Sequence, residues 1–171
     1  MLPTRKAAIS ALLIVSLSSA CDLAAERELA VERACTAALS RLWPQWSFPS
    51  ISSEVSEWAE RENERPTVTF GDFDGDGRTD VALLVQPFPE STSPMIAACL
   101  SGSGLDKPVV ITDPYCYDGL TRQRRGQPYY DFATGLEGVY PSDGIHAYCF
   151  EKAGATYIIK GGRFEPIVDS D

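Results

Sequence analysis

The sequence predicts an α+β fold in which an N-terminal helix packs on an antiparallel sheet. Three observations indicate this class. Apolar residues recur at three- and four-residue spacing over residues 23–43, as in an amphipathic helix. Short apolar or alternating runs follow, separated by turns that contain Gly or Pro. The last three runs, at 144–150, 155–160 and 163–167, predict a C-terminal β-meander whose final turn is Gly161-Gly162.

The first twenty residues predict a secretory signal peptide, because basic residues precede an apolar run and small residues follow it. Residues 21–171 then form a single domain. Cys21 directly follows Ala20, which resembles the lipobox of bacterial lipoproteins, although Leu17 stands one place further upstream than in the usual pattern. The resemblance implies a periplasmic protein anchored to a membrane by lipid at Cys21, with the choice between inner and outer membrane open. Ordinary cleavage after Ala20 is the alternative.

The chain has five cysteines, so lipidation of Cys21 leaves an even set for two disulfides in an oxidising compartment. These four are Cys35, Cys99, Cys116 and Cys149. Pairing Cys35 with Cys99 and Cys116 with Cys149 ties the helix to the sheet and a long loop to the meander. Four cysteines allow three connectivities, and the sequence does not choose among them.

The net charge of −9 argues against nucleic acid as a partner. A calcium ion or a basic protein suits an acidic chain better. Solubility in the periplasm is the simpler explanation of the same charge.

Pro44 ends the first helix, and residues 53–63 predict a second, short one. Strands are expected at 67–70, 81–85, 95–100 and 109–112. Cys35 lies on the apolar stripe of the first helix with Val31, Ala38 and Leu42. The three tryptophans, Trp43, Trp46 and Trp58, are expected to cover one edge of the core. A sugar platform is the alternative for them, but no carboxylate spacing for sugar binding accompanies them.

The densest chemical signal is the segment 71–80, GDFDGDGRTD, between two of the predicted strands. Its carboxylates stand at loop positions one, three, five and nine, a spacing that surrounds a hard cation with oxygen. The expected ligands are Asp72, Asp74, Asp76, the Arg78 carbonyl and Asp80. Gly77, at position six, provides the sharp turn. An all-oxygen set favours Ca²⁺ over zinc or copper.

This loop resembles the calcium loops of FG-GAP and VCBS-type repeats, in which an acidic turn joins two strands. The resemblance implies the same five ligands and a site that stabilises structure. It covers only one loop and its flanking strands, and Leu83 stands where an EF-hand has its bidentate Glu. An acidic hairpin turn without a metal, held by Asx-type hydrogen bonds, is the alternative.

Residues 113–143 predict a long irregular segment that is rich in Tyr and contains a basic run. Long loops in compact domains are often functional, and Tyr beside Arg is typical of interfaces. The candidate partner-binding residues are Tyr115, Tyr117, Arg122, Arg124, Arg125, Tyr129 and Tyr130. A solvated loop tied down by Cys116 is the alternative.

His146 is the single histidine and is interpreted as a strand-surface residue, not a catalytic base. We therefore expect an exported, calcium-stabilised, non-enzymatic module that binds a protein partner, for example an inhibitor or immunity protein of a cell-wall hydrolase. The alternative is a periplasmic metal-assisted hydrolase with its site near the calcium loop, which would need an open coordination position.

Overall fold

The structure, a computed structural model, describes residues 6–89, 91, 93–112, 114 and 116–170, with side chains described from residue 22 to residue 169 of these ranges. The predicted α+β class is confirmed. The two described helices are α1 (Lys6–Leu42) and α2 (Ser53–Glu62). The strands are β1 (Val68–Gly71), β2 (Asp80–Val85), β3 (Met95–Cys99), β4 (Val109–Ile111), β5 (Gly119–Gln123), β6 (Pro128–Asp131), β7 (Leu136–Val139), β8 (Gly144–Cys149), β9 (Ala153–Lys160) and β10 (Arg163–Ser170).

The strands form three antiparallel sheets. The first sheet has the order β1-β2-β3-β4, the second has the order β10-β9-β8-β5, and β6 pairs with β7 alone. The predicted C-terminal meander is confirmed as β8, β9 and β10. Gly161 and Gly162 make its last turn with φ values of 57° and 81°, the backbone that a two-residue hairpin requires.

Strand β2 lies at the centre of the packing, because every one of its residues is buried. Its side chains alternate between two cores. Ala82 and Leu84 face the second sheet and pack with residues of β3, β5, β8 and β9. Val81, Leu83 and Val85 face α1. The chain therefore stacks a helix, the first sheet and the second sheet as successive layers.

Helix α1 contributes Cys35, Ala38 and Leu39 to the buried side of the first sheet. The predicted stripe was wrong at its last position, because Leu42 is 50% exposed whereas Leu39 is fully buried. The buried stripe runs at four-residue spacing from Cys35 through Leu39 to Trp43, which packs on the same cluster, so Leu42 points away from it. Among the described residues, no helix is both long and apolar enough to cross a membrane.

The second helix is fixed at both ends. Ser52 accepts a hydrogen bond from the Val55 amide at 3.3 Å, an N-cap, and Asn63 closes the helix in the left-handed conformation. Val55 and Ala59 face the core, and Trp58 packs edge-on against Tyr148 of β8 at a centroid distance of 5.5 Å. This helix therefore lies against the face of the second sheet that points away from the first.

The described residues contain two disulfides, and both match the pairing that ties the helix to the sheet and the long loop to the meander. Cys35–Cys99 joins α1 to β3, and Cys116–Cys149 joins the segment before β5 to β8. Such bonds are typical of proteins in extracellular or periplasmic compartments.

The expectation of an irregular segment at 113–143 was wrong, since it contains β5, β6 and β7. Asp131 closes the β6–β7 turn, where its carboxylate accepts from the Ala133 amide at 3.1 Å and from the Thr134 hydroxyl at 2.6 Å. Gly135, with φ of 72°, completes that turn. The two strands are only four residues each, too short for a strong periodic signal in the sequence.

Candidate functional site

The acidic loop joins β1 to β2, as the sequence predicts. Three of its carboxylates converge: oxygen atoms of Asp72, Asp74 and Asp80 all lie within 4.8 Å of one another. Asp80 begins β2 and is fully buried, whereas Asp72 and Asp74 are half-buried. Separations of this size suit a shared cation between carboxylates.

Asp80 is held rigidly by the backbone around it. Its Oδ2 accepts from the Phe73 amide at 2.8 Å, and its Oδ1 accepts from the Ser101 amide at 2.7 Å and hydroxyl at 2.9 Å. Burial raises the pKa of the Asp80 carboxyl, although these hydrogen bonds oppose the shift. A nearby cation would remove that cost of burying the charge.

Asp72 leaves one oxygen available. Its Oδ2 accepts from the Gly77 amide at 3.0 Å, which the positive φ of Gly77 (82°) makes possible. Its Oδ1 is buried and has no hydrogen-bond partner among the described residues. Buried carboxylate oxygens are rarely left without a partner, so this oxygen is the clearest candidate ligand for a cation in the loop.

Gly102, in the turn after β3, approaches the loop from the other side. A Cβ at this position would lie 2.5 Å from Asp74 Oδ2 and 2.9 Å from Asp76 Oδ2. Any residue other than glycine would therefore push into the space between these carboxylates. Glycine therefore lets the backbone after β3 approach these carboxylates closely.

Asp76 is directed differently from the other three carboxylates. Its Oδ2 lies 2.6 Å from an Arg78 guanidinium nitrogen, and its Oδ1 accepts from the Arg78 amide at 2.8 Å. The guanidinium of Arg78 lowers the pKa of Asp76. Ligation by Asp76 would require its carboxylate to exchange this partner for the metal.

The chemistry of the donors suits calcium, and three of the five expected ligands, Asp72, Asp74 and Asp80, converge. All candidate donors are oxygens, three carboxylates converge, and one buried oxygen lacks a partner. Bound calcium would supply positive charge to a loop that carries four carboxylates and one guanidinium.

Asp143, just before β8, joins the acidic loop to the turn between β5 and β6. Its Oδ2 accepts from the Asp72 amide at 3.1 Å, and its Oδ1 accepts from the Arg125 amide at 2.9 Å. The Asp143 amide in turn donates to the Asp72 carbonyl at 3.2 Å. One side chain therefore fixes both segments relative to each other.

The candidate partner-binding residues separate into different places. Arg122 lies on β5, 3.8 Å from Asp143, while Arg124 and Arg125 are exposed in the β5–β6 turn. Tyr130 is exposed on β6, whereas Tyr129 turns inward, and its ring packs at a tilt against Tyr140 with a centroid distance of 5.0 Å. Tyr117 lies before β5, beside a separate cavity. The side chains of Tyr115 and Cys21 lie outside the described residues, so the structure does not place them.

The hairpin of β6 and β7 also exposes apolar residues that the sequence analysis missed. Tyr130, Phe132, Leu136 and Val139 are 45%, 49%, 64% and 59% exposed. The rings of Tyr130 and Phe132 contact each other edge-on at 5.1 Å. The strand register places Tyr130 and Val139 on one face of the hairpin and Leu136 on the other face. We call Tyr130, Phe132 and Val139 the hairpin surface. The alternation of Tyr130 and Phe132 around Asp131, followed by Thr134-Gly135, is the signal that could have identified it.

Fold and site together define a disulfide-linked α+β domain with an acidic β-hairpin loop and an exposed apolar hairpin. Comparison with protein-family models, with curated proteins and with solved structures finds no match to any of them.

Proposed function

We propose that this chain is an exported, calcium-stabilised, non-enzymatic module that binds another protein through the hairpin surface. The observation that carries the proposal is the pair of exposed aromatic rings, Tyr130 and Phe132, in contact with each other on one short hairpin, with exposed Val139 on the same face as Tyr130. Soluble proteins seldom expose contiguous apolar patches unless the patch has a partner. Tyr and Phe at the centre of such a patch are typical anchors of binding energy.

The hairpin is held in place before any partner arrives, which favours binding. On its inner side, the Tyr129 ring lies flat over Gly138 and packs on Tyr140. On its edge, the Phe132 amide donates to the Val168 carbonyl at 2.8 Å. A rigid surface loses little conformational entropy when it docks.

Charge indicates the kind of partner. The chain carries a net charge of −9, so a basic protein would be drawn to it by long-range attraction. Arg124 and Arg125, in the turn that leads into β6, form a local positive site beside the hairpin and would face an acidic patch on that partner. A basic cell-wall hydrolase held by an inhibitor or immunity protein is the concrete version of this proposal.

Calcium acts on this surface through Asp143. The proposed ligands are Asp72, Asp74, Asp76, the Arg78 carbonyl and Asp80, as in FG-GAP and VCBS-type loops. Asp143 bonds to the Asp72 backbone on one side and to the Arg125 amide on the other. Ordering of the loop by calcium would therefore also order the turn that leads into the hairpin. Lipid at Cys21 would tether the module to a membrane.

The test is affinity capture from the envelope fraction of the native cells. The Tyr130→Ser/Phe132→Ser variant should lose a protein that the unchanged chain retains. Loss of two anchors costs about 2 kcal/mol or more, or about thirtyfold in affinity. The matched control is Phe48→Ser/Phe88→Ser, because these rings are 40% and 52% exposed outside the hairpin. If the hairpin variant and the control retain the same proteins, the hairpin surface is not the binding surface.

A further inference from the structure

A polar row crosses the outer face of the second sheet, the face that points away from the first sheet. Thr121 of β5 stands opposite His146 of β8, and His146 stands opposite Thr156 of β9. On β10, Ile167 is the partner of Thr156, and Asp169 follows at the irregularity after it. Directly opposed residues share a face, so these polar side chains lie side by side.

Asp169 is almost fully enclosed in this row, with a side chain only 10% exposed. Its Oδ2 accepts from the Tyr140 hydroxyl at 2.5 Å and also from the Thr156 hydroxyl. Its Oδ1 lies 3.3 Å from His146 Nδ1. Burial raises the pKa of Asp169, but the nearby His146 ring and the hydrogen bonds from Thr156 and Tyr140 outweigh burial and lower it.

These contacts determine which nitrogen of His146 carries the proton. The Thr156 hydroxyl has one hydrogen and donates it to Asp169. It can therefore only accept from His146 Nδ1, which lies 2.9 Å away. The Asp169 carboxylate also only accepts. Nδ1 must therefore be the protonated nitrogen, and Nε2 of the neutral ring has a free lone pair. Among the described residues, none hydrogen-bonds to Nε2.

His146 lines a cavity of about 400 Å³, which we call the Trp58 groove. Trp58 of α2 forms one wall, and Tyr148 and Phe150 contribute two more aromatic rings. The Tyr148 ring lies against Gly119, where a Cβ would overlap it, so its position is fixed. The volume lies within the range of about 300–1,000 Å³ usual for small-molecule sites.

We propose that the Trp58 groove binds a saccharide, with His146 Nε2 accepting a hydrogen bond from a sugar hydroxyl. A pyranose ring has an apolar C–H face and a rim of hydroxyl groups. The aromatic rings of the groove can pack against the apolar face. The His146 Nε2 acceptor, the Thr121 hydroxyl and the charged ends of Glu151 and Lys152 can hydrogen-bond to the hydroxyl groups. Glu151 and Lys152 have opposite charges, which suits a neutral ligand. This site is separate from the proposed hairpin surface and does not depend on it.

The test uses the purified protein and three defined probes: the trimer of N-acetylglucosamine, cellotriose and maltotriose. Binding is measured by titration calorimetry and by the nuclear magnetic resonance signals of the histidine ring. His146 is the single histidine of the chain, so its ring signals are unambiguous. At least one probe should bind and shift the Nε2 resonance, while the free protein should show the tautomer protonated at Nδ1.

Two variants locate the site. Trp58→Ala should weaken binding about tenfold, the loss expected from removing one aromatic contact. Its matched control is Trp46→Ala, because Trp46 packs against Phe48 away from the groove. Asp169→Asn should shift the His146 tautomer toward Nε2–H and weaken binding, a signature that a purely structural role for Asp169 would not give.

Three results would overturn the proposal. The first is a titration in which no probe, at about 10 mM, gives a heat of binding or shifts the His146 signals. The second is binding that Trp58→Ala and Trp46→Ala weaken equally. The third is a free protein whose His146 is protonated at Nε2. The first and third use the unchanged chain, so a variant that fails to fold does not leave the proposal undecided.

Discussion

The prediction that most directly follows from the acidic loop is a calcium-dependent gain in stability. Residues 72–80 place four carboxylates and one guanidinium in a single loop, and Asp72 Oδ1 is buried without a partner in the described part of the chain. A cation that binds only the folded loop stabilises it by mass action. The gain is about 2.7 kcal/mol when free calcium exceeds the dissociation constant about a hundredfold.

For a domain of this size, 1 kcal/mol corresponds to about 2–4 °C in Tm, so the expected shift is about 5–10 °C. The assay is thermal melting in millimolar calcium, in magnesium and in chelator. Magnesium should substitute poorly, since it demands a tighter octahedral shell.

Asp72→Asn is the most informative substitution in this loop. It removes a charge and a ligand but keeps the side-chain volume and an acceptor for the Gly77 amide. We expect it to abolish at least about half of the calcium shift and to leave Tm in chelator equal or slightly higher, because carboxylate repulsion falls. Glu165→Gln is the charge-matched control, since Glu165 is exposed on β10. Equal Tm in calcium and chelator for the unchanged chain would refute the metal site and leave an ordinary Asx-bonded turn.

Four further predictions concern single features of the chain. Asp143→Ala should make partner binding insensitive to calcium, because this carboxylate is the bridge between the acidic loop and the turn; binding is compared in calcium and in chelator. The pKa of Asp169 is lowered in the folded state. Its contribution to the free energy of unfolding is therefore complete above about pH 4 and is lost as the pH falls below that value. Asp169→Asn should lower stability at neutral pH by about 1–3 kcal/mol and remove this acid-side slope in denaturant titrations. Arg124→Glu/Arg125→Glu should slow association with the partner and change its salt dependence, with folding intact; an unchanged rate at every salt concentration would place the interface elsewhere. Mass spectrometry of the mature chain should find lipid on Cys21, and an unmodified N-terminal cysteine would contradict the lipoprotein proposal.

Local patterns were enough to predict much of the fold. Pro44 and the apolar period predicted the end of α1 to within a residue or two, and the acidic loop was placed correctly between two strands. The position of Cys35 on a buried helix stripe indicated a disulfide from the helix to the sheet, as found. The sequence left three connectivities of the four cysteines open. In each case the signal lies in a few neighbouring residues.

The errors concern contacts between distant segments. Leu39 and Leu42 both fit a helical stripe, and only the face of α1 that meets the sheet decides that Leu39 is buried and Leu42 exposed. The orientation of Asp76 toward Arg78 depends on side-chain rotamers that loop spacing does not reveal.

Contacts between distant segments also form the Trp58 groove and position the hairpin surface. His146 gains its partner from β10, far along the chain, so no local motif marks the pair. Of the hairpin surface, only Tyr130 was predicted. Phe132 and Val139 were missed because β6 and β7 were taken as loop.

The central claim is that the hairpin surface docks another protein, and site-specific photo-crosslinking in the native cells tests it most directly. A photoreactive phenylalanine analogue is placed at Tyr130 or, as a control, at Phe88, which is exposed to a similar degree outside the hairpin. We expect one discrete crosslinked protein from position 130 and none from position 88. Absence of a crosslink at 130, or the same adducts from both positions, would contradict it.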